Sequence, residues 1–253
     1  MQNRRTFIKR ASAFSATMAV APTILRAQGA SRTFRVAIIG SGRRSTGAFE
    51  NMAEAAQTMG HTIRLVAAHD FFIEEARSIC KKFGCDESFA FGGGDGYLKM
   101  LDVEGIEIVI LGAPPAFRPR HLDACVKAGK HVFAEKPLAV DPQGVRHVLE
   151  VVAAAKDKQL TLVTGTQRRH QGSYLSQALA LRQGQLGTIR GGNIYWCGGW
   201  GSVRPRKPGA SNAQYMCNNW MNWAQMSGDH IVEQHVHNID VANWFIGRPP
   251  RSA

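Results

Sequence analysis

From residue 34 onward the apolar positions alternate between two spacings. Residues 34–39 (Phe-Arg-Val-Ala-Ile-Ile) form a short β-branched run that stops at Gly40, the pattern of a strand buried in a parallel sheet. In 47–59, Phe49, Met52, Ala53, Ala56 and Met59 recur at helical spacing, and Gly60 closes the helix. The alternation continues with a strand at 62–68, a helix at 73–83, a short strand near Phe89 and a helix near 97–101. A strand at 106–111, a helix at 120–128, a strand at 131–134, a helix at 142–158 and a strand at 160–164 complete it. Strands separated by helices predict βαβ units, hence an α/β, doubly wound parallel sheet of Rossmann type that binds ligands at the carboxyl ends of its strands.

The alternation ends near 165–167, which divides the chain into a leader (1–30), a Rossmann domain (31–166) and a C-terminal α+β domain (167–253). Beyond the boundary the chain is rich in Gly, Asn and Trp, with a helix at 174–183, a strand at 188–196 and a helix at 231–246. One strand is too little for a sheet of about four to six strands. The expectation is therefore a fragment: an intact first domain followed by an incomplete second one with an open, mostly antiparallel sheet. An unpaired strand with aromatic surface would favour aggregation, or homo-oligomers formed through that sheet.

The 31 basic and 19 acidic residues of this 253-residue chain give a net charge of +12, but five of the basic residues lie in the first 28, where no acidic residue occurs. The remaining 26 against 19 leave +7, scattered in pairs such as Arg43-Arg44 and Arg168-Arg169. Scattered pairs solvate a face or meet an anionic ligand, so nucleic acid is not an expected partner. No segment reaches the roughly 18 consecutive apolar residues of a membrane span. Five cysteines, none in a CxxC pair, argue against a disulfide framework or structural zinc. Asn3-Arg4-Arg5-Thr6-Phe7-Ile8-Lys9 followed by the mildly apolar 11–25 resembles a twin-arginine signal peptide, which implies export of a folded protein to the periplasm.

Gly40-Ser41-Gly42-Arg43-Arg44-Ser45 stands where a phosphate loop belongs, directly after the first strand. The chain can turn tightly at Gly40 and approach a pyrophosphate at Gly42, with the helix N-terminus facing its charge. Ser45 replaces the third glycine of the usual motif, and Gly47 is placed to relax the same contact. Asp70, at the end of the second strand, can accept hydrogen bonds from an adenosine ribose and would repel a 2′-phosphate, which favours NAD over NADP. It can equally cap the helix that follows.

Ile108-Val109-Ile110-Leu111-Gly112-Ala113-Pro114-Pro115, then His121, then 128–139 with the triplet Glu135-Lys136-Pro137, resembles the Gfo/Idh/MocA family of sugar and polyol oxidoreductases. The likeness extends from Arg35 to about Gly247. It implies a cofactor site of Gly40, Ser41, Gly42, Arg43, Ser45, Asp70, Pro114, His121, Glu135 and Lys136. It also implies that Lys136 approaches both the nicotinamide ribose and the substrate hydroxyl. An ammonium at the end of a buried strand can polarise a carbon–oxygen bond undergoing hydride transfer.

Residues 228–240, Gly-Asp-His-Ile-Val-Glu-Gln-His-Val-His-Asn-Ile-Asp, resemble the family's acidic-x-x-x-His-x-x-Asp segment, with Glu233 at the position usually held by Asp, then His237 and Asp240. As helical i, i+4 neighbours, Glu233 would orient the His237 imidazole and support its cationic form, making Lys136, His237 and Glu233 the catalytic set. His230, Glu233 and His237 also share one helical face, as metal ligands can. Clustered histidines serve polyol hydroxyls as well, and no metal is assigned. Arg168 or Arg169 either binds substrate oxygens or is solvated charge. Trp196, Trp200, Trp220 and Trp223 form either a sugar platform or core packing. The resemblance implies an NAD-dependent dehydrogenase acting on a secondary hydroxyl of a sugar, polyol or glycoside. The alternatives are a relative that cleaves glycosides by oxidation and elimination, or a cofactor-binding protein without turnover.

Overall fold

The first strand, β1 (Thr33–Ile39), is exposed at its start and fully buried from Val36 onward, as an apolar run entering the middle of a sheet should be. The computed structural model describes residues 31–198 and 203–251, so the expected signal segment lies outside the described residues. After β1 come α1 (Arg43–Thr58), β2 (Thr62–Asp70), α2 (Ile73–Lys82), β3 (Ala90–Gly92), α3 (Gly96–Leu101) and β4 (Ile108–Leu111). They are followed by α4 (Arg118–Lys127), β5 (His131–Glu135), α5 (Pro142–Asp157) and β6 (Leu162–Gly165). The six strands are parallel in the order β3-β2-β1-β4-β5-β6. That is the doubly wound Rossmann order, with its crevice where β1 and β4 part to opposite sides.

Alternate residues of β1 feed the two faces. Ala37 and Ile39 pack with Tyr97, Met100, Leu122 and Val148, while Val36 and Ile38 pack with Phe49, Ala76 and Ile79. Period-two alternation thus gives one strand two cores, each covered by helices. The elements match the expected ones within a few residues, except that α1 begins at Arg43, four residues early. The helix starts directly from the glycine loop, with Gly42 as its N-cap.

Beyond β6 the chain forms α6 (Gly172–Arg182), α7 (Asn212–Asn218), α8 (Ala224–Ser227), a π-helical turn (Ile231–His235) and α9 (Val236–Ile246). Among the described residues no strand follows Gly165. The expected strand at 188–196 runs without ladder pairing, with Ile189 and Tyr195 exposed. Its β-branched and aromatic residues suit a pleated surface, but a strand is completed only by a neighbour. Among the described residues no helix is long and apolar enough to cross a membrane.

Candidate active site

The loop after β1 is shaped by what cannot fit there. Gly40 has φ +86°, and a Cβ on it would lie 2.2 Å from the Ala113 backbone nitrogen. Its own N–H donates to His69 O at 2.8 Å, so the turn binds β1 to β2 while pressing against the start of the β4 loop. Gly42 is the opposite case: ordinary extended backbone, with no atom within 4 Å of an added Cβ. No side chain caps α1 and its first turn contains no acidic residue, which leaves the N–H groups of that turn open to an anion.

Ser45 is fully buried, and its hydroxyl donates to Gly40 O at 2.5 Å. The space it needs comes from Gly112, where a Cβ would meet Ser45 Oγ at 1.8 Å. Gly47, expected to relax this contact, has no such neighbour within 4 Å. The compensating glycine lies just past the end of β4, where that strand end meets the start of α1.

Asp70 does not cap α2, whose N-cap is Phe72 with no side-chain cap hydrogen bond; it braces the loop that leads there. Its carboxylate accepts the N–H of Ser41 at 2.8 Å and of Phe72 at 2.9 Å, holding the glycine loop and the start of α2, and it also lines the cleft. That cleft, about 540 Å³, is lined by Gly40, Gly42, Arg43, Asp70, Pro114 and His121 of the expected cofactor residues. Ser41 is instead buried, its hydroxyl donating to His69 O. His121 sits among Tyr97 and Phe117 rings, and burial lowers its pKa to about 3, so it is neutral at ordinary pH. A glycine cradle, an uncapped helix terminus and an acid at the end of β2 fit the pyrophosphate and adenosine ribose of a dinucleotide.

Of the far wall of the cleft, only Trp220 is among the residues singled out from the sequence. Arg204, Cys217, Trp220 and Met221 come from the second half of the chain. Asn219 holds this wall together, accepting the Arg204 N–H at 2.7 Å and donating to Arg204 O. The only local hint was the Ser-x-x-Gln spacing of Ser211 and Gln214, which forms a capping box on α7.

At the end of β5, Glu135 and Lys136 point to different partners. Buried Glu135 is ion-paired with Arg44 of α1 at 2.9 Å, a structural clamp between helix and strand. Lys136 Nζ donates to the carboxylate of Glu233 at 2.8 Å and to its backbone carbonyl at 2.6 Å. Arg118, unremarked in the sequence, is buried in α4 and donates to Pro137 O, with Glu233 and Glu135 as its charged neighbours. Burial lowers its pKa to about 10, against the pull of both acids.

The expected pairing of Glu233 with His237 is corrected. Glu233 turns to Lys136, and its other oxygen, Oε2, is buried without a hydrogen-bond partner. The π turn at Ile231–His235 explains this, because i→i+5 winding moves Glu233 off the face it would share with His237 on a regular helix. Nor is His237 held cationic. Burial first, then the charges of Lys136, Arg168 and Arg44, lower its pKa to about 4. Burial likewise raises the Glu233 pKa, opposed by Lys136. His237 stacks on Trp196 with centroids 5.9 Å apart, while the His230 ring meets His235, so the three side chains that would share one face of a regular helix turn to different neighbours. Asp240 is tied to Arg169 by two hydrogen bonds at 2.8 Å, which anchors α9.

Comparison with known proteins assigns this architecture to a class. Residues 34–166 match the Gfo/Idh/MocA model, described as an oxidoreductase family with an NAD-binding Rossmann fold, and the chain belongs to that family. An inositol 2-dehydrogenase of Rhizobium meliloti is 24% identical over 224 residues, covering 87% of this chain and 57% of the relative. A dTDP-3,4-didehydro-2,6-dideoxy-alpha-D-glucose 3-reductase of Actinomadura kijaniata is 28% identical over 160 residues, 62% of this chain and 43% of the relative. The WlbA dehydrogenase of Chromobacterium violaceum, solved with NADH and UDP-GlcNAcA, superposes with a TM-score of 0.63 at 23% identity, over 86% of this chain and 56% of that one. The chain thus spans about half the length of the curated relatives it matches.

Proposed function

We propose that the protein is an NAD-dependent dehydrogenase acting on a secondary hydroxyl of a sugar or polyol. The observation that carries this reading is the gathering of Lys136, Glu233 and His237 at the carboxyl end of β5, in the sheet that bears the Gly40–Gly42 loop. A bound nicotinamide would supply the hydride acceptor. Lys136, held by Glu233, presents an ammonium to the substrate oxygen and polarises the reacting bond. His237, neutral because it is buried among cations, has a free lone pair to accept the hydroxyl proton. Arg118 and Glu135 keep the strand end and its turn in place.

Residues 167–253 are read as part of the substrate domain, with an open, mostly antiparallel sheet as its form and that sheet as an association surface. The twin-arginine segment supports export through the Tat pathway. The activity test is incubation of the chain with NAD and a panel of polyols, sugars, sugar acids and sugar phosphates, myo-inositol among them, followed by the absorbance of reduced nicotinamide. Accumulating NADH is expected. Sugar turnover without net NADH would favour the glycoside-cleaving alternative, and no turnover of any panel member would overturn the proposal for this chain.

A further inference from the structure

The cations that act on His237 (Lys136, Arg168 and Arg44) and the arginines next to them in the chain or the fold are not equivalent. Among the described residues, Arg44 is matched by Glu135 at 2.9 Å, Lys136 by Glu233 at 2.8 Å and Arg169 by Asp240 at 2.8 Å. Arg118 has both Glu233 and Glu135 as charged neighbours. Arg168 has neutral partners. Its Nη1 donates to the amide oxygen of Asn238, and its guanidinium lies 5.4 Å from the Trp196 ring centroid and 5.6 Å from that of Tyr174. Both ties lead to the proton acceptor, since Asn238 follows His237 in α9 and Trp196 stacks on the His237 ring. Asn238 is itself fixed by donating to Tyr195 O at 2.5 Å.

An arginine held between two aromatic faces and an amide is oriented without being neutralised. The bond to Asn238 engages Nη1 alone, so most of the planar donor fork stays available, and that fork matches the paired oxygens of a carboxylate or phosphate. Half-buried as it is, its charge is screened less than one in open water. A neutral polyol would leave this charge unanswered.

We infer that Arg168 is the anchor for an oxyanion on the substrate, so that the sugar handled beside His237 carries a carboxylate or a phosphate. This rests on the dehydrogenase reading and narrows its substrate class. It also separates the two adjacent arginines: Arg169 fastens α9 through Asp240, and Arg168 faces the ligand.

The test uses the full chain with saturating NAD and calorimetric titration of D-glucose, D-glucuronate and D-glucose 6-phosphate. At least one acid is expected to bind tenfold or more tightly than glucose, and the preferred one identifies the anion. Arg168→Gln should lower that acid's affinity at least tenfold and change glucose less than threefold. Arg168→Lys keeps a charge over the two rings but loses the fork, and should retain part of the preference. Acids binding no tighter than glucose, including no binding of any probe, would overturn the inference. So would an Arg168→Gln variant that weakens all three alike, the signature of a packing role. A titration of NAD into the same preparation reports separately on the dehydrogenase reading.

Discussion

Gly40 and Gly42 sit two residues apart, and substituting alanine at each should produce opposite phenotypes. At Gly40 the φ of +86° costs an L-residue about 1–2 kcal/mol. The new Cβ would lie 2.2 Å from Ala113 N, 2.5 Å from Ala113 Cα and 2.7 Å from Gly112 C. These are backbone atoms of the loop after β4 and cannot swing aside, so overpacking adds roughly 1–3 kcal/mol. Gly40→Ala is therefore expected to lose about 2–5 kcal/mol, a large share of the roughly 5–15 kcal/mol that stabilises a domain. At Gly42 the backbone is extended and the space is open, so Gly42→Ala should change stability by less than about 1 kcal/mol. Its methyl group enters the cleft where a pyrophosphate approaches, and NAD affinity should fall at least tenfold. Urea denaturation of both variants followed by calorimetric titration of NAD separates the two effects. A Gly40→Ala protein as stable as the parent, or a Gly42→Ala protein binding NAD at full strength, would refute the cradle.

Three further outcomes are expected. Asp70→Asn should narrow the preference for NAD over NADP in parallel titrations, because it keeps the side chain's size and removes the charge that opposes a 2′-phosphate. Lys136→Met and His237→Gln should each reduce turnover by about 10²–10⁴ while leaving NAD affinity within about tenfold. Lys136→Met also strands the buried Glu233 carboxylate, at a cost of about 3–5 kcal/mol at neutral pH, which the added Glu233→Gln should largely restore in urea melts. His121 and His237 have pKa values lowered by burial to about 3 and about 4, against about 6.5 when unfolded. The unfolded chain takes up their protons first as pH falls, so their stabilising effect is complete above about pH 6.5, declines progressively below it, and is gone once pH has dropped through about 4 for His237 and about 3 for His121. His121→Phe should flatten the decline in urea midpoint between pH 7 and 5. An unchanged slope would contradict the buried, neutral assignment.

The Rossmann half was legible because its signals are local. A β-branched run ending in glycine, a helix with a three-to-four spacing and an acid at the next strand end each fall within a few neighbouring residues. What escaped reading depends on distant partners. Arg118 looks in sequence like any arginine near a helix start, and only the fold shows it buried against Pro137. Ser45 is tolerated because Gly112, 67 positions away, leaves it room. The Glu233–His237 pairing failed because a π turn adds a residue to the helical repeat and leaves no mark in composition. Residues 188–196 have strand-like composition, but propensity without a neighbour does not make a ladder.

The central claim, that the Gly40–Gly42 loop and Asp70 form an NAD site in this chain, is tested most directly by calorimetric titration of NAD and NADP into the purified protein. Saturable binding of one NAD per chain, tighter than NADP, is the expected result. No saturable binding, or NADP bound as tightly as NAD, would contradict it.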